Sequence, residues 1–285
     1  MKKIGFTVLV LCSSLIMGCA TQNTPVSTSE DTPEAPTVTE STTIEESSEQ
    51  EVSSTEESIA ESTEVASSEE VTTEVVFEKE LKETDNPRIL ELMNVSGTHF
   101  DGFNHDSYHY QIPQFHADSE SAKALNKRIE DDLSEIIEYE AEHISGGVSL
   151  VTYTITYEVF EYGDITAILV SVPYPNDCMD YFAYTYDFQN NKEVTNAELL
   201  AMKGMTEEAF VEEVCRLQKE DFTALAQSWP NPMTDQEMIN RYIANVNAYA
   251  TVDLPMYFDN NGTLQVYIPF ASIAGADWYY QLRQF

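Results

Sequence analysis

The segment that decides the fold reads VSLVTYTITYEVFEY (148–162), GD (163–164), ITAILVSVP (165–173) and YFAYTYDF (181–188). Its first run alternates threonine with valine, isoleucine and tyrosine, a pattern typical of a β-strand. Gly163-Asp164 is a turn signal, after which the chain returns as a second apolar run. We therefore predict three successive strands here, with Tyr184, Tyr186 and Phe188 on one face of the third.

Helical patterns lie on both sides of these strands. Ser119–Glu142 carries apolar residues three and four positions apart, which predicts an amphipathic helix behind a strand at Ser107–Phe115. Three further helices are predicted after Thr195, Thr206 and Thr234, the first and last with a Thr-x-x-Glu capping pattern. A hairpin (Met256–Asp259 and Leu264–Phe270) and a last strand (Asp277–Arg283) complete the chain. Antiparallel strands with segregated helices predict an α+β fold.

Residues 21–76 have a different composition from the rest. They contain 23 Ser or Thr and 15 Asp or Glu, with no Lys, Arg, Gly, Cys, Tyr or Trp. Such a segment buries too little apolar surface to offset its ordering entropy, so we predict a disordered stalk. We interpret it as a spacer, with a binding segment as the alternative. As an ideal coil of about 56 residues it would span about 40–45 Å.

The N-terminus has the features of a secretory signal, because Lys2 and Lys3 precede an apolar run that ends at Gly18-Cys19. The string Leu15-Ile16-Met17-Gly18-Cys19 resembles a bacterial lipobox. The resemblance implies cleavage after residue 18 and attachment of a diacylglyceryl group, with palmitate-type chains, to Cys19. It predicts a lipoprotein anchored to the extracellular face of a Gram-positive-type cell membrane. The alternative is an ordinary secreted protein.

The formal net charge of the chain is −36, from 14 Lys and Arg against 50 Asp and Glu. A surface this acidic repels phosphates, so we expect no nucleic-acid partner. Residues 77–285 alone hold 35 acidic and 12 basic residues. The folded part therefore favours a cationic partner.

Two stretches resemble known domain families. Tyr110-Gln-Ile-Pro-Gln-Phe115, followed by Leu125-Asn-Lys-Arg-Ile129, is similar to the start of DUF4163. Tyr184 to Leu200, together with Tyr257 to Phe270, resembles DUF3298. We predict four segments: a signal peptide (1–18), a lipid anchor and linker (19–84), a DUF4163-like part (85–175) and a DUF3298-like part (176–285).

The resemblance implies a binding role. The family includes the ectodomain of a lysozyme-binding anti-sigma factor, a module attached to a peptidoglycan deacetylase, and many lipoproteins. It has no known catalytic residues, so none carries over. We expect neither a sigma-factor-binding segment nor a deacetylase domain in this chain.

Several residues are candidates for chemistry or binding. His105 and His109 lie in a histidine- and aspartate-rich stretch that could hold a metal ion, although the stretch reads as a strand and fits no named site. Cys178 and Cys215 would form a disulfide in an oxidising exterior, or remain free. Tyr181, Tyr184, Tyr186 and Trp278 could stack on a sugar or anchor a protein interface, the alternative being sheet core.

These features favour a lipid-anchored extracellular binding module without a cofactor. The expected partner is a cell-wall component, such as peptidoglycan, or a cationic protein such as lysozyme. The alternatives are a cell-wall modifying enzyme or an accessory subunit of one, and a structural spacer without a ligand. The sequence does not decide the oligomeric state.

Overall fold

Two β-sheets and four helices make up the part of the chain that the computed structural model describes, residues 75–175, 178–229, 231–273 and 278–285. The strands are β1 (Lys82–Glu83), β2 (Ile89–Phe100), β3 (His105–Phe115), β4 (Thr154–Tyr162), β5 (Ile165–Tyr174), β6 (Cys178–Asp187), β7 (Lys192–Glu193), β8 (Met256–Phe258), β9 (Leu264–Ala271) and β10 (Trp278–Gln284). The helices are α1 (Glu120–Gly146), α2 (Asn196–Met202), α3 (Glu207–Ser228) and α4 (Gln236–Asn247).

The first sheet contains β1 to β7 in chain order. All neighbouring strands in it are antiparallel except β3 and β4, which are parallel because α1 carries the chain back between them. The second sheet has the order β10-β9-β8 and is antiparallel. The α+β class predicted from the sequence is confirmed.

Helix α1 covers one face of the first sheet. Ser119 caps it by accepting a hydrogen bond from the backbone N–H of Ala122, and Gly147 ends it in the left-handed region at φ 64°. Leu125, Ile129 and Leu133 project from the buried side of the helix into a core shared with β2 to β6. This core holds the apolar side chains that the three-and-four spacing predicted.

The second sheet lies between the other face of the first sheet and the remaining helices. Tyr257 of β8 packs with Ala167 and Leu169 of β5. On its opposite face, the side chains of β9 pack against α3, where Phe210 and Val214 are fully buried. The layers are therefore α1, first sheet, second sheet and then α3 with α4.

The elements differ from the sequence-based predictions in three places. Strand β2 was not predicted. Residues 148–153 are not strand, because the backbone N–H groups of Val151 and Thr152 donate to the carboxylate of Glu140 instead of to a neighbouring strand. Helix α4 is capped by Asp235, one residue after the predicted Thr234.

Some predictions fall outside the described residues. The signal peptide, the lipidation site Cys19 and residues 21–74 of the stalk are among them. The division of the folded part at residue 175 stays a prediction. Among the described helices, none is long and apolar enough to cross a membrane.

Candidate functional site

The turn between β2 and β3 presents an exposed phenylalanine on an ordered loop. Phe100 pairs with His105 at the end of the two strands. The Asp101 carboxylate accepts hydrogen bonds from the backbone N–H groups of Phe103 (2.8 Å) and Asn104 (2.7 Å). Gly102 has φ +93°, a conformation that favours glycine. The side chain of Asp101 thus holds the backbone of the loop, while Phe103 is 91 % exposed.

Three hydrogen bonds hold this turn and the end of α1 against the loop of residues 147–153. Ser149 Oγ donates to Asp101 Oδ2 at 2.6 Å, and His99 Nε2 lies 2.7 Å from the carbonyl oxygen of Val148. His143 Nδ1 bonds the carbonyl oxygen of Ser149 at 2.7 Å. His99 is buried, so its bond is shielded from water. These bonds therefore join the turn to the loop.

We call this the hairpin surface and define it as Phe100, Phe103, His105, Val148 and Tyr153. Each of these side chains is exposed, with half of Phe100 open to solvent. The His105 ring stacks on that of Phe100 with centroids 4.6 Å apart. Phe100 and His105 lie on the side of the hairpin opposite to the buried His99, which contacts Val148, so the exposed side chains surround the end of the hairpin. Exposed large apolar side chains close together are typical of interaction sites.

Carboxylates accompany the hairpin surface. Burial raises the pKa of Tyr153, and the negative charges of Asp106 and Asp101 raise it further. The hydrogen bond from Ser149, together with those from the backbone N–H groups of Asn104 and Phe103, holds the pKa of Asp101 well below its usual value. Asp101 therefore remains negatively charged across the neutral and mildly acidic range.

A buried carboxylate supports the same loop from below. Glu140 on α1 is only 1 % exposed and accepts the backbone N–H groups of Val151 (3.0 Å) and Thr152 (2.9 Å). Tyr110 donates its hydroxyl hydrogen to the carbonyl oxygen of Thr152 at 2.9 Å. Burial raises the pKa of Glu140, opposed by the two N–H donors. These bonds fix the backbone that carries Tyr153.

The tyrosines predicted as a binding row do not form one. Tyr184 and Tyr186 lie in the core beneath α1, where their hydroxyls bond Asp132 (2.8 Å) and Ser119 (2.7 Å). Tyr181 faces the second sheet and stacks on Tyr267 with centroids 3.7 Å apart. Tyr181 and Tyr184 are an odd number of positions apart, which explains the difference, because alternate strand residues face opposite sides of a sheet.

Trp278 does not join these tyrosines. It is half-buried on β10 and packs on Tyr249, just beyond α4, with centroids 4.8 Å apart.

The structure does not bring His105 and His109 together. They lie four residues apart on β3, which corresponds to about 13 Å along a strand. His109 Nε2 bonds Asn94 Oδ1 at 3.0 Å, whereas His105 stacks on Phe100. Within the described ranges, no group of three or more His, Cys, Asp or Glu side chains is arranged to hold a metal ion.

Cys178 and Cys215 are both free and half-buried. The disulfide predicted between them is not formed in this structure. Cys178 begins β6 in the first sheet, and Cys215 lies on α3, which packs on the far face of the second sheet. The layer order therefore separates the two thiols.

Sequence reasoning missed Phe100 and Phe103. The signal that could have found them is Asp101-Gly102, a dipeptide that favours hairpin turns, between the strand-forming residues on either side.

Comparison with known proteins gives similarities of shape alone. No family model matches the sequence. No curated protein matches it either. A DUF3298 family protein from Pseudomonas aeruginosa is similar in structure, with 10 % identity and a TM-score of 0.37, over 70 % of this chain and 90 % of that one. A DUF3298 member from Bacteroides fragilis has 9 % identity and a TM-score of 0.28, over 67 % and 85 %. Similarities this weak carry no argument about what this chain does.

Proposed function

We propose that this protein is a lipid-anchored extracellular binding module whose hairpin surface docks a cationic protein such as lysozyme. The observation that carries the proposal is Phe103, which is 91 % exposed on a turn that Asp101 holds in place. A turn whose backbone is already held loses less conformational entropy on binding. Aromatic residues of this kind are frequent anchors of protein interfaces.

The charge of the domain supports a basic partner. Nine of the twelve Lys and Arg residues in 77–285 form ion pairs with Asp or Glu, and most of the acidic residues that the structure describes have no such pair. A strongly negative domain accelerates its encounter with a positive protein. Asp101 and Asp106 place part of this charge in the turn that carries Phe103 and on the strand end next to His105.

The negative charge near the hairpin surface favours a basic protein partner over peptidoglycan. The tyrosine row expected to stack on a sugar is not available, because Tyr184 and Tyr186 are buried in the core. The hairpin surface offers contact area and negative charge, which suit a basic protein better than a glycan.

The proposal includes the location of the domain. Lipidation at Cys19 would hold the chain on the membrane, and the stalk would let the domain reach about 40–45 Å or more from it. A binder of extracellular proteins would act at this position.

Retention on immobilised lysozyme, measured at low and high salt, tests the proposed function. We expect the full chain to be retained at low salt and released at high salt, since screening weakens attraction between exposed charges. Lysozyme whose lysines have been acetylated is the matched control and should retain much less protein. Failure of the chain to be retained at low salt would remove lysozyme as the partner.

A further inference from the structure

The outer edge of β2 is open over most of its length. β1 pairs only with Leu90 and Glu91, and the backbone N–H of Glu80 adds one bond to the carbonyl oxygen of Leu92. Beyond this point, no strand in the described part of the chain pairs with residues 93–100 on that side. Among the residues that the structure describes, the strand thus has one edge paired with β3 and one edge, beyond Leu92, without a partner strand; we call the latter the free edge.

The hydrogen bonds of the neighbouring strand show which groups point outward. The backbone N–H of His109 donates to the carbonyl oxygen of Tyr153, so the backbone polar groups of His109 point toward β4 and away from β2. Ser96 is opposite His109, and its own N–H and C=O must therefore point away from β3. Alternation gives the same orientation to Asn94, Thr98 and Phe100. Four residues therefore present backbone donors and acceptors along the free edge.

This edge lacks the residues that usually prevent strand pairing. Edge strands are commonly protected by lysine or proline, and residues 93–100 read MNVSGTHF, with neither. The β-bulge lies at Glu91/Met93, before the open segment begins. The seven residues from Asn94 to Phe100 provide about 23 Å of extended backbone, enough to pair with a short peptide strand.

We propose that the free edge of β2, from Asn94 to Phe100, binds an extended basic segment of a partner protein by strand addition. Main-chain hydrogen bonds supply affinity in this mode of recognition, and alternate side chains supply specificity. The inference rests on the proposed function for the positive charge of the partner. Phe100 belongs to both surfaces, so a segment paired with this edge would lead the partner directly onto the hairpin surface.

The charge of the surroundings selects a basic segment rather than a second copy of this chain. Glu91 lies at one end of the open edge and Asp101 at the other, with Asp106 nearby on β3. A second copy would bring the same acidic groups against these, and like charges repel.

The lysines close to this edge are engaged elsewhere, and no ion pair within the described residues involves Glu91, Asp101 or Asp106. Lys82 pairs with Glu80, and Lys79 pairs with Glu130. The expected segment alternates Lys or Arg with apolar residues, the apolar ones covering the half-buried Val95.

Calorimetric titration of the full chain with a synthetic ten-residue peptide of alternating Lys and Val tests the inference. The variant Ser96→Pro removes one backbone N–H that points away from β3. Proline is tolerated at such a position of an edge strand, so the pairing of β2 with β3 should remain. We expect this variant to bind the peptide about tenfold more weakly, and the matched control Ser96→Ala to bind it as the wild type does. The same peptide N-methylated at alternate residues keeps its charge but cannot pair, and we expect it not to bind.

Three results would overturn the inference: no binding of the unmodified peptide, equal binding by Ser96→Pro, or equal binding of the N-methylated peptide. If Ser96→Pro failed to fold, the comparison of the unmodified and the N-methylated peptide on the wild-type chain would still test strand addition. Lysozyme retention is measured separately. If lysozyme is retained on the chain but the peptide does not bind, the proposed function stands and strand addition is excluded. If the peptide binds but lysozyme is not retained, lysozyme is excluded as the partner.

Discussion

Ser149 Oγ donates a 2.6 Å hydrogen bond to Asp101 Oδ2, and this bond joins the β2–β3 turn to the loop that follows α1. The two residues are 48 positions apart in the chain. The same carboxylate also accepts two backbone N–H groups of its own turn. The side chain of Asp101 thus fixes the β2–β3 turn and the loop after α1 relative to each other.

Replacing Phe103 tests the surface without disturbing the fold. We expect Phe103→Ser to weaken lysozyme binding about tenfold or more, because the variant loses an exposed aromatic anchor. The free energy of unfolding should change by less than about 0.5 kcal/mol, since the side chain is 91 % exposed. Isothermal titration and urea unfolding measure the two quantities. Unchanged affinity would place the contact elsewhere.

Replacing Ser149 tests the connection between the turn and the loop. Ser149→Ala removes the hydrogen bond to Asp101 but leaves all five residues of the hairpin surface in place. We expect weaker lysozyme binding and faster amide hydrogen exchange at residues 101–104, since a less ordered turn must be fixed on binding. Ser107→Ala, an exposed serine on β3, is the matched control. Identical exchange in both variants would argue against the connection.

The pH dependence of stability should show the depressed pKa of Asp101. A carboxyl group whose pKa is lower in the folded state contributes stability above its unfolded pKa, and this contribution is lost as the pH falls through the folded value. The free energy of unfolding of the wild type, minus that of Asp101→Asn, should therefore be constant above roughly pH 5 and shrink below about pH 4. Denaturant unfolding at several pH values measures it. A difference that grew on acidification would contradict the sign.

Glu140 should matter for stability far more than its exposed neighbour. Glu140→Ala removes the buried carboxylate that accepts hydrogen bonds from the backbone N–H groups of Val151 and Thr152. We expect a loss of about 3 kcal/mol in the free energy of unfolding. Glu142→Ala, on the exposed side of the same helix, should cost less than about 0.5 kcal/mol. Equal effects in urea unfolding would show that Glu140 does not hold this loop.

The tyrosines beneath α1 should affect stability but not binding. Tyr184→Phe removes the hydroxyl that donates to Asp132, at a cost of about 1 kcal/mol in the free energy of unfolding. Lysozyme affinity, measured by titration, should stay at the wild-type value because the ring is buried. A marked loss of affinity in this stable variant would restore the tyrosine row as a candidate surface.

Local sequence patterns predicted the elements that have a regular apolar spacing or a recognisable N-terminal cap. The apolar spacing after Ser119 gave α1, and the Thr195-x-x-Glu198 box begins α2 as expected. β2 was harder to recognise, because its outer half mixes Gly97, Thr98 and His99 and lacks a run of alternating apolar residues. Its structure depends on pairing with β3, a tertiary interaction that a local pattern does not reveal.

The candidate site was missed because tertiary contacts create it. Alternating residues made 148–153 look like strand, yet the buried Glu140 on α1 binds that backbone instead. The aromatic row at 181–188 looked like a surface, yet α1 covers its even-numbered side and the second sheet its odd-numbered side. The contacts of Val148 and Ser149 with His99 and Asp101 join residues about fifty positions apart.

Hydrogen–deuterium exchange of the full chain, with and without lysozyme, tests the central claim most directly. We expect lysozyme to slow amide exchange in residues 94–106 and 147–153, which contain the hairpin surface and the free edge of β2. Exchange in α3 and α4, on the far side of the second sheet, should stay unchanged. Protection confined to those helices, or no protection at a lysozyme concentration that retains the chain, would contradict docking at the hairpin surface.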